Sequence, residues 1–407
     1  MRILHTSDWH LGKRLDRFSR HEEQVQVLEE IVDIAQRESV DAVLISGDIY
    51  DTYNPPTEST ELLYHTLKSL ADNGRRAVVA LSGNHDSPDR IEAPDPLARE
   101  CGIVFLGYPL TTVRPFRLSE GIEITRSRPG AVEIRTPSVG HPLRIIGTPY
   151  ANEYRLRACF CGENPEEELR SVLARHWANL AAEFCDAEGV NLLAAHLFFV
   201  GRGETPLEEP TEEKPILHVG GAQAIYTDAI PSQVQYTALG HLHRRRVYHK
   251  EQAPVVYSGS PLGYGFAESG DAKSVTIVDV HPGEPARAIQ IPLTKGKPLI
   301  RGRHTTVEAA LSWLSDNSHA YVELTMATDQ YLASEDRARI NEVHDRIVAI
   351  IPETGPGTYE FANRGNSIDL SKGMSELFKD YFCRRMGQAP GGDILSLFQE
   401  VVAGDNS

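Results

Sequence analysis

Residues 42–51 read AVLISGDIYD. Ala42–Ser46 is a short and almost wholly apolar run, the composition of a strand buried on both faces. Gly47 follows and permits a tight turn, after which Asp48 and Asp51 arrive within one loop. Four other segments are built the same way. Ile3–Thr6 precedes D-W-H at Asp8–His10, and Ala77–Leu81 precedes G-N-H-D at Gly83–Asp86. Asn191–Ala195 runs into His196, and Tyr236–Leu239 precedes G-H-L-H at Gly240–His243. Leu143–Gly147, Pro254–Tyr257 and Ser274–Val280 are further strand candidates. Between strands, 22–38 places Val25, Leu28, Ile31, Val32 and Ala35 on one helical face, and 58–73 does so with Leu62, Leu63, Leu67, Leu70 and Ala71. This alternation predicts a layered α/β domain. In such sheets ligand sites form outside the carboxyl ends of the strands. Loops there can bring all five motifs together.

The residue types fit a pair of divalent cations. Two such ions about 3.5–4 Å apart need both shared and separate ligands. A carboxylate can bridge them with its oxygens, while imidazoles and an amide oxygen fill the shells without adding charge. Asp8 and Asp48 against two divalent ions leave about two units of positive charge, which favours an anionic phosphodiester. A mixed N/O set without thiolate suits Mn²⁺, Fe²⁺ or Zn²⁺ better than Ca²⁺. Singly, each motif has an ordinary reading as a surface histidine, a turn with an N-cap or a satisfied core histidine. All five at strand ends point to one site.

The rest of the chain sets bounds. Its 407 residues predict two or three domains. With 41% hydrophobic and 24% charged residues it has ordinary globular composition. No apolar run reaches the roughly eighteen residues a membrane helix needs. The N-terminal stretch lacks the long apolar region of a signal peptide. Five cysteines, with Cys159 and Cys161 as a lone C-x-C pair, predict a reducing, cytoplasmic protein without disulfides. The net charge of −16 argues against a simple nucleic-acid-coating protein. Basic residues still cluster locally, at Arg114, Arg117, Arg126, Arg128, Arg135 and Arg144 and again at Arg244–Arg246; their ordinary reading is solvated surface charge. Gly203–Pro215, with five Glu and three Pro, predicts an exposed loop. A boundary is expected near Pro292–Pro298. Beyond it the order reads helix Val307–Leu314, strand Ala320–Thr325, helix Ser334–Ile350 and strand Thr358–Ala362, a small α+β unit. From Ser371 two amphipathic helices are expected. Leu377, Phe378, Tyr381 and Phe382 form one face, and Ile394, Leu395, Phe398, Val401 and Val402 the next.

In this order the motifs resemble the calcineurin-like metallophosphoesterase superfamily. The stretches HTSDWHLGK (His5–Lys13), SGDIYD (Ser46–Asp51), SGNHDSPDR (Ser82–Arg90) and ALGHLHR (Ala238–Arg244) are similar to the bacterial SbcD family of nuclease subunits. YSGSP (Tyr257–Pro261) followed by Phe266-Ala-Glu268 adds to the likeness, which covers nearly the whole chain. The resemblance implies a layered metallophosphoesterase sandwich over 1–292, an α+β cap over 298–365 and a helical tail over 371–407. It implies that Asp8, His10, Asp48 and His243 hold one cation and that Asp48, Asn84, His196 and His241 hold the other, with Asp48 bridging and Mn²⁺ the expected metal. His85 is then beside the scissile phosphate, protonating the leaving 3′ oxygen or stabilising the transition state, and Asp51 is the acid that orients it. A carboxylate on one ring nitrogen fixes the tautomer and raises basicity. Ala195 stands where family members often have Gly.

The implied activity is DNA phosphodiester hydrolysis in repair and recombination, as exonuclease and as hairpin- or end-cleaving endonuclease, by two-metal hydroxide attack on phosphorus. The implied partner is an SbcC-type ABC ATPase with long coiled coils, onto which the tail would dock. A homodimer within a heterotetramer is implied through helices near 58–73 and 88–99. Two other readings compete: a phosphatase or phosphodiesterase for small substrates on the same metals, and a non-catalytic scaffold. The scaffold predicts lost ligands, and all seven are present.

Overall fold

The computed structural model describes residues 1–157, 164–201, 224–250, 253–327 and 332–353, with positions 376–379, 381–382, 390, 395 and 398. The chain divides into two compact units, Met1–Lys297 and Pro298–Ser407.

The first unit is built on two sheets. In the six-stranded sheet, Arg2–Thr6, Ala42–Ser46, Ala77–Leu81 and Ile103–Leu106 run parallel, and Ser274–Asp279 and Arg287–Pro292 close one edge antiparallel. In the eight-stranded sheet the parallel strands are Leu143–Thr148, Val190–His196, Tyr236–Gly240 and Ala253–Tyr257. Arg246–Lys250 pairs antiparallel at one edge, and Ala131–Arg135, Glu123–Arg128 and Phe116–Arg117 extend the other.

The alternation of side chains along each strand decides the layers. Ile3, Leu44 and Val79 meet Leu143, Leu192, Ala238 and Val256 between the sheets. Leu4, Val43, Ile45 and Val78 face the other way, onto Leu28 and Ile31 of the helix His21–Arg37 and Leu63 and Leu67 of the helix Thr57–Leu70. On the far side Ile146, Leu193 and Leu239 pack with Leu169, Leu173 and Trp177 of the helix Pro165–Phe184. The result is a helix–sheet–sheet–helix sandwich, each buried aliphatic side chain stabilising it by about 1.5–3 kcal/mol. In each sheet the parallel strands deliver their carboxyl-end loops to one edge.

One buried polar group gives the sandwich a pH dependence. His5 is fully buried, with Nδ1 2.9 Å from the Tyr236 hydroxyl. Burial holds its pKa down to about 3, against the opposing hydrogen bond with the Leu239 backbone. Because the folded value lies below the unfolded one, the neutral ring's stabilisation is complete above about pH 6.5 and is lost as pH falls toward the folded value. At pH 5 the loss is about 2 kcal/mol. In urea unfolding, His5→Asn is therefore expected to flatten the fall in stability between about pH 6.5 and 5, whatever its constant cost. An unchanged slope would rule this account out.

Several of the clustered arginines are paired. Arg144 bonds Glu133 at 2.8 Å and also Asp186, Arg128 pairs with Glu183 at 2.8 Å, and Arg244 with Asp271 at 2.7 Å.

In the second unit three parallel strands, Leu299–His304, Tyr321–Ala327 and Ile347–Glu353, have Tyr321–Ala327 in the middle. Ala310 and Leu314 of the helix Val307–Asp316 and Ile340 of the helix Ser334–Val343 cover Val322, Leu324 and Met326. The expected helix Ser334–Ile350 is shorter than its periodicity suggests: it stops at Val343, and His344 is extended. The β-branched run from Ile347 joins the sheet instead, because pairing with Tyr321–Ala327 satisfies its backbone. Phe378 stacks on Phe398, ring centroids 3.9 Å apart. The expected strand Thr358–Ala362, the acidic loop at 204–213, Cys159–Cys161 and most of the two expected tail helices lie outside the described residues. Among the described residues no helix is long and apolar enough to cross a membrane.

Candidate metal centre

Four of the seven expected ligands sit in backbone conformations that L-residues rarely adopt. φ is +54° at Asp8, +44° at His10, +48° at Asp48 and +107° at His241. Such strain costs on the order of 1–3 kcal/mol per residue and persists only where surrounding contacts impose it. The first two loops are laced together, with Asp8 N donating to Gly47 O (2.9 Å), His10 N to Asp48 O (3.0 Å) and Leu11 N to Ile49 O (2.9 Å). From the other sheet, His241 N donates to Asp8 Oδ1 at 3.0 Å. The sheets meet almost backbone to backbone here: a Cβ on Gly240 would collide with the Ser46 carbonyl oxygen.

All seven side chains converge. Asp48 Oδ1 accepts from His85 N at 2.9 Å, and its Oδ2 lies 3.6 Å from His10 Nε2 and 3.4 Å from His196 Nε2. His10 Nε2 and His243 Nε2 face each other at 3.0 Å. Asn84 Oδ1 stands 2.9 Å from His196 Nε2 and 3.1 Å from His241 Nδ1. Among the described residues, Asp8, His10 and His243 form one group able to share an ion, Asp8, Asp48 and His196 another, and His10, Asp51 and His85 a third. Imidazole nitrogens aimed at one another and at an amide oxygen are poor company without a proton or a cation between them. The donor set therefore fits two divalent cations.

Residues 1–130 match the family model described as calcineurin-like phosphoesterase. The SbcD component of the nuclease SbcCD from Bacillus subtilis is 34% identical over 99% of this chain and 98% of its own length. Its namesake from Rhodobacter capsulatus is 34% identical over 74% of this chain and 71% of its own, and that of Escherichia coli K12 28% over 82% and 79%. The chain belongs to the SbcD family of nuclease subunits.

The electrostatics of this SbcD-family hydrolase fit a site built around positive charge. Burial pushes Asp48 up, but the imidazoles of His196 and His85 outweigh it and hold the carboxyl well below its usual range. His196 is pulled down by burial and up by Asp48 and Asp8, ending at about 9. His10 is held neutral, at about 3, by burial.

Groups behind these side chains fix their orientation. His196 Nδ1 donates to Ser46 O at 2.8 Å, leaving Nε2 toward Asp48. Glu268 Oε1 lies 3.5 Å from His243 Nδ1, and Lys273 neutralises its other oxygen. Ser7 Oγ donates to Asp8 Oδ2 and bonds Ser258 Oγ at 2.7 Å.

Asp51 hydrogen-bonds His85 through its main chain, where a carboxylate contact was expected. His85 Nδ1 donates to its main-chain oxygen, at 2.9 Å, whereas its carboxylate lies 3.3 Å from His10 Nδ1 and 2.9 Å from Lys13 Nζ. The strand-to-helix turn presents the Asp51 carbonyl to His85 and swings the side chain toward the first loop. Asp86, the last residue of G-N-H-D and given no role by the motif alone, is a central tie: its buried carboxylate accepts from Gly83 N (2.8 Å), Ile49 N (3.0 Å) and Tyr50 N (2.8 Å). Burial first, and then Asp48, push it up to about 6, against those three amides. In the sequence Glu268 shows only as part of F-A-E. Arg155, buried against the loop carrying His85, leaves no sequence signal.

Proposed function

We propose that this subunit is a Mn²⁺-dependent DNA nuclease in which Asp8, His10, Asp48 and His243 hold one cation, and Asp48, Asn84, His196 and His241 the second. The carrying observation is that Asp48 Oδ2 lies 3.6 Å from His10 Nε2 and 3.4 Å from His196 Nε2, so that this carboxylate would belong to both ligand sets. When bound, the cations supply charge compensation for the phosphodiester and a hydroxide nucleophile. The nitrogen and oxygen donor set, without thiolate, supports Mn²⁺.

His85 is the acid that protonates the departing 3′ oxygen or stabilises the transition state. Its Nδ1 is committed to the Asp51 carbonyl, which leaves Nε2 for that task. Asp51 secures His85 by its backbone and His10 by its carboxylate.

The relatives' name, which makes each of them one component of an SbcCD nuclease, supports a place beside a second kind of subunit; in this reading that subunit is an SbcC-type coiled-coil ATPase, and the complex acts on DNA ends and hairpins in the cytoplasm. In this reading residues 1–292 are the catalytic domain, 298–365 a cap and 371–407 the tail that docks on the ATPase, with two copies in a heterotetramer.

The test compares linear duplex DNA, hairpin DNA, a nucleotide monoester and a cyclic nucleotide in Mn²⁺, with and without a co-purified ATPase partner. DNA cleavage enhanced by the partner is expected, and manganese-soaked crystals should show two anomalous peaks among the seven side chains. Efficient monoester hydrolysis without DNA cleavage would overturn the reading.

A further inference from the structure

The geometry points to Arg155 as a positioning residue for His85; the inference rests on the assignment of His85 as the acid. Arg155 belongs to the short helix Glu153–Leu156, started by Asn152, whose side chain accepts from Arg155 N at 2.9 Å. Its side chain is 3% exposed. One arm of the guanidinium, Nη1, donates to Gly83 O at 2.7 Å and reaches Ser82 Oγ at 3.3 Å. The other, Nη2, donates to Asp86 O at 2.7 Å and reaches the Tyr53 hydroxyl at 3.3 Å. Gly83 and Asp86 bracket Asn84 and His85. A single planar group therefore holds both ends of the loop that presents the acid. Through Tyr53 it also touches the segment whose Asp51 carbonyl sets the His85 ring.

Two features separate this from ordinary packing. The loop is already anchored from its other side by the Asp86 carboxylate on Gly83 N, Ile49 N and Tyr50 N, so Arg155 adds a second clamp, on the carbonyls. Further, among the described residues Arg155 has no carboxylate within ion-pair distance; its hydrogen bonds go to neutral oxygens, and the Tyr150 ring lies 5.1 Å away. Burying an unpaired guanidinium is expensive. A hydrophobic residue would fill the space at lower cost, but it cannot donate to two carbonyls, and the single ammonium of a lysine cannot span them with fixed geometry.

The test exploits the leaving group. A 3′ alkoxide needs a proton as it departs, whereas p-nitrophenolate does not. Arg155→Lys is compared with wild type and with His85→Gln on duplex DNA and on bis(p-nitrophenyl) phosphate, with Mn²⁺ content and thermal unfolding recorded. The expected result for Arg155→Lys is a kcat on DNA about 10- to 100-fold lower, with KM and Mn²⁺ content near wild type. On the p-nitrophenyl ester the loss should shrink to a few-fold, the pattern His85→Gln also shows. Equal losses on both substrates, lowered Mn²⁺ content or wild-type rates would overturn the role of Arg155 while leaving His85 intact. If His85→Gln itself does not discriminate between the substrates, the acid assignment falls and this inference with it. Should Arg155→Lys fail to fold, Tyr53→Phe, at an exposed position, carries the same test with a smaller loss of the same substrate dependence; losses equal on both substrates would again overturn it.

Discussion

Asp48→Asn is expected to lower kcat for DNA cleavage at least a thousandfold and to reduce bound Mn²⁺ from two ions per chain to one or fewer. The reason lies in which atom changes. Oδ1 of Asp48 accepts from His85 N at 2.9 Å, and the amide oxygen of Asn can keep that bond, so the loop should hold its shape. Oδ2 lies within 3.6 Å of His10 Nε2 and His196 Nε2, and there Asn places an NH₂ group. In the proposed site that group would offer protons where the cations would need a lone pair, and it would remove the charge that would hold them. Loss of one preorganised charge-stabilising group commonly costs about 10²–10³ in kcat, and here two ions are weakened together. Metal-dependent stabilisation should shrink in parallel: a ligand at a hundred times its Kd stabilises by about 2.7 kcal/mol, so the rise in Tm on adding Mn²⁺ should be far smaller in the variant. Calorimetric titration and elemental analysis measure the stoichiometry. A variant that binds two ions and cleaves DNA within about tenfold of wild type would show that Asp48 does not bridge.

His85→Gln is expected to separate chemistry from metal binding. Glutamine can still donate to the Asp51 carbonyl that now receives His85 Nδ1 at 2.9 Å, but it has no proton to pass. General acid catalysis by a positioned side chain contributes about 10²–10⁴-fold. A fall of that size in kcat is expected, with Mn²⁺ stoichiometry and KM for DNA unchanged. Single-turnover cleavage with saturating metal measures it. Undiminished cleavage would remove His85 from the reaction, and lost metal would make it a ligand instead.

The difference between these two residues shows what is legible in the sequence. Both lie in loops after apolar runs, Ala42–Ser46 and Ala77–Leu81, and both stand out as polar groups crowded at strand ends. The paired acids of G-D-I-Y-D promise roles for Asp48 and Asp51, but not which atom of Asp51 meets which histidine. Backbone geometry decides that: the carbonyl turns to His85 and the carboxylate to His10. The antiparallel strands between 116 and 135 escape a reading by pattern because they are short and Glu123–Arg128 alternates exposed Arg with small polar residues, so no apolar run marks it. A helix drawn through to Ile350 fails because local periodicity cannot see that a neighbouring strand will pair with Ile347–Glu353.

The α/β layering and the seven side chains that converge can be read from local sequence alone. Strand burial and loop ligands are written in neighbouring residues, and a run of apolar side chains ending in Gly and a donor group needs no distant partner to be read. The supports behind them emerge from long-range packing. Glu268 behind His243, Asp86 across three amides and Arg155 on two carbonyls act over separations of up to 72 residues in the chain. Such roles depend on where a hydrogen bond can be closed once two sheets have packed, and that distance is set by the whole sandwich and not by any segment of it.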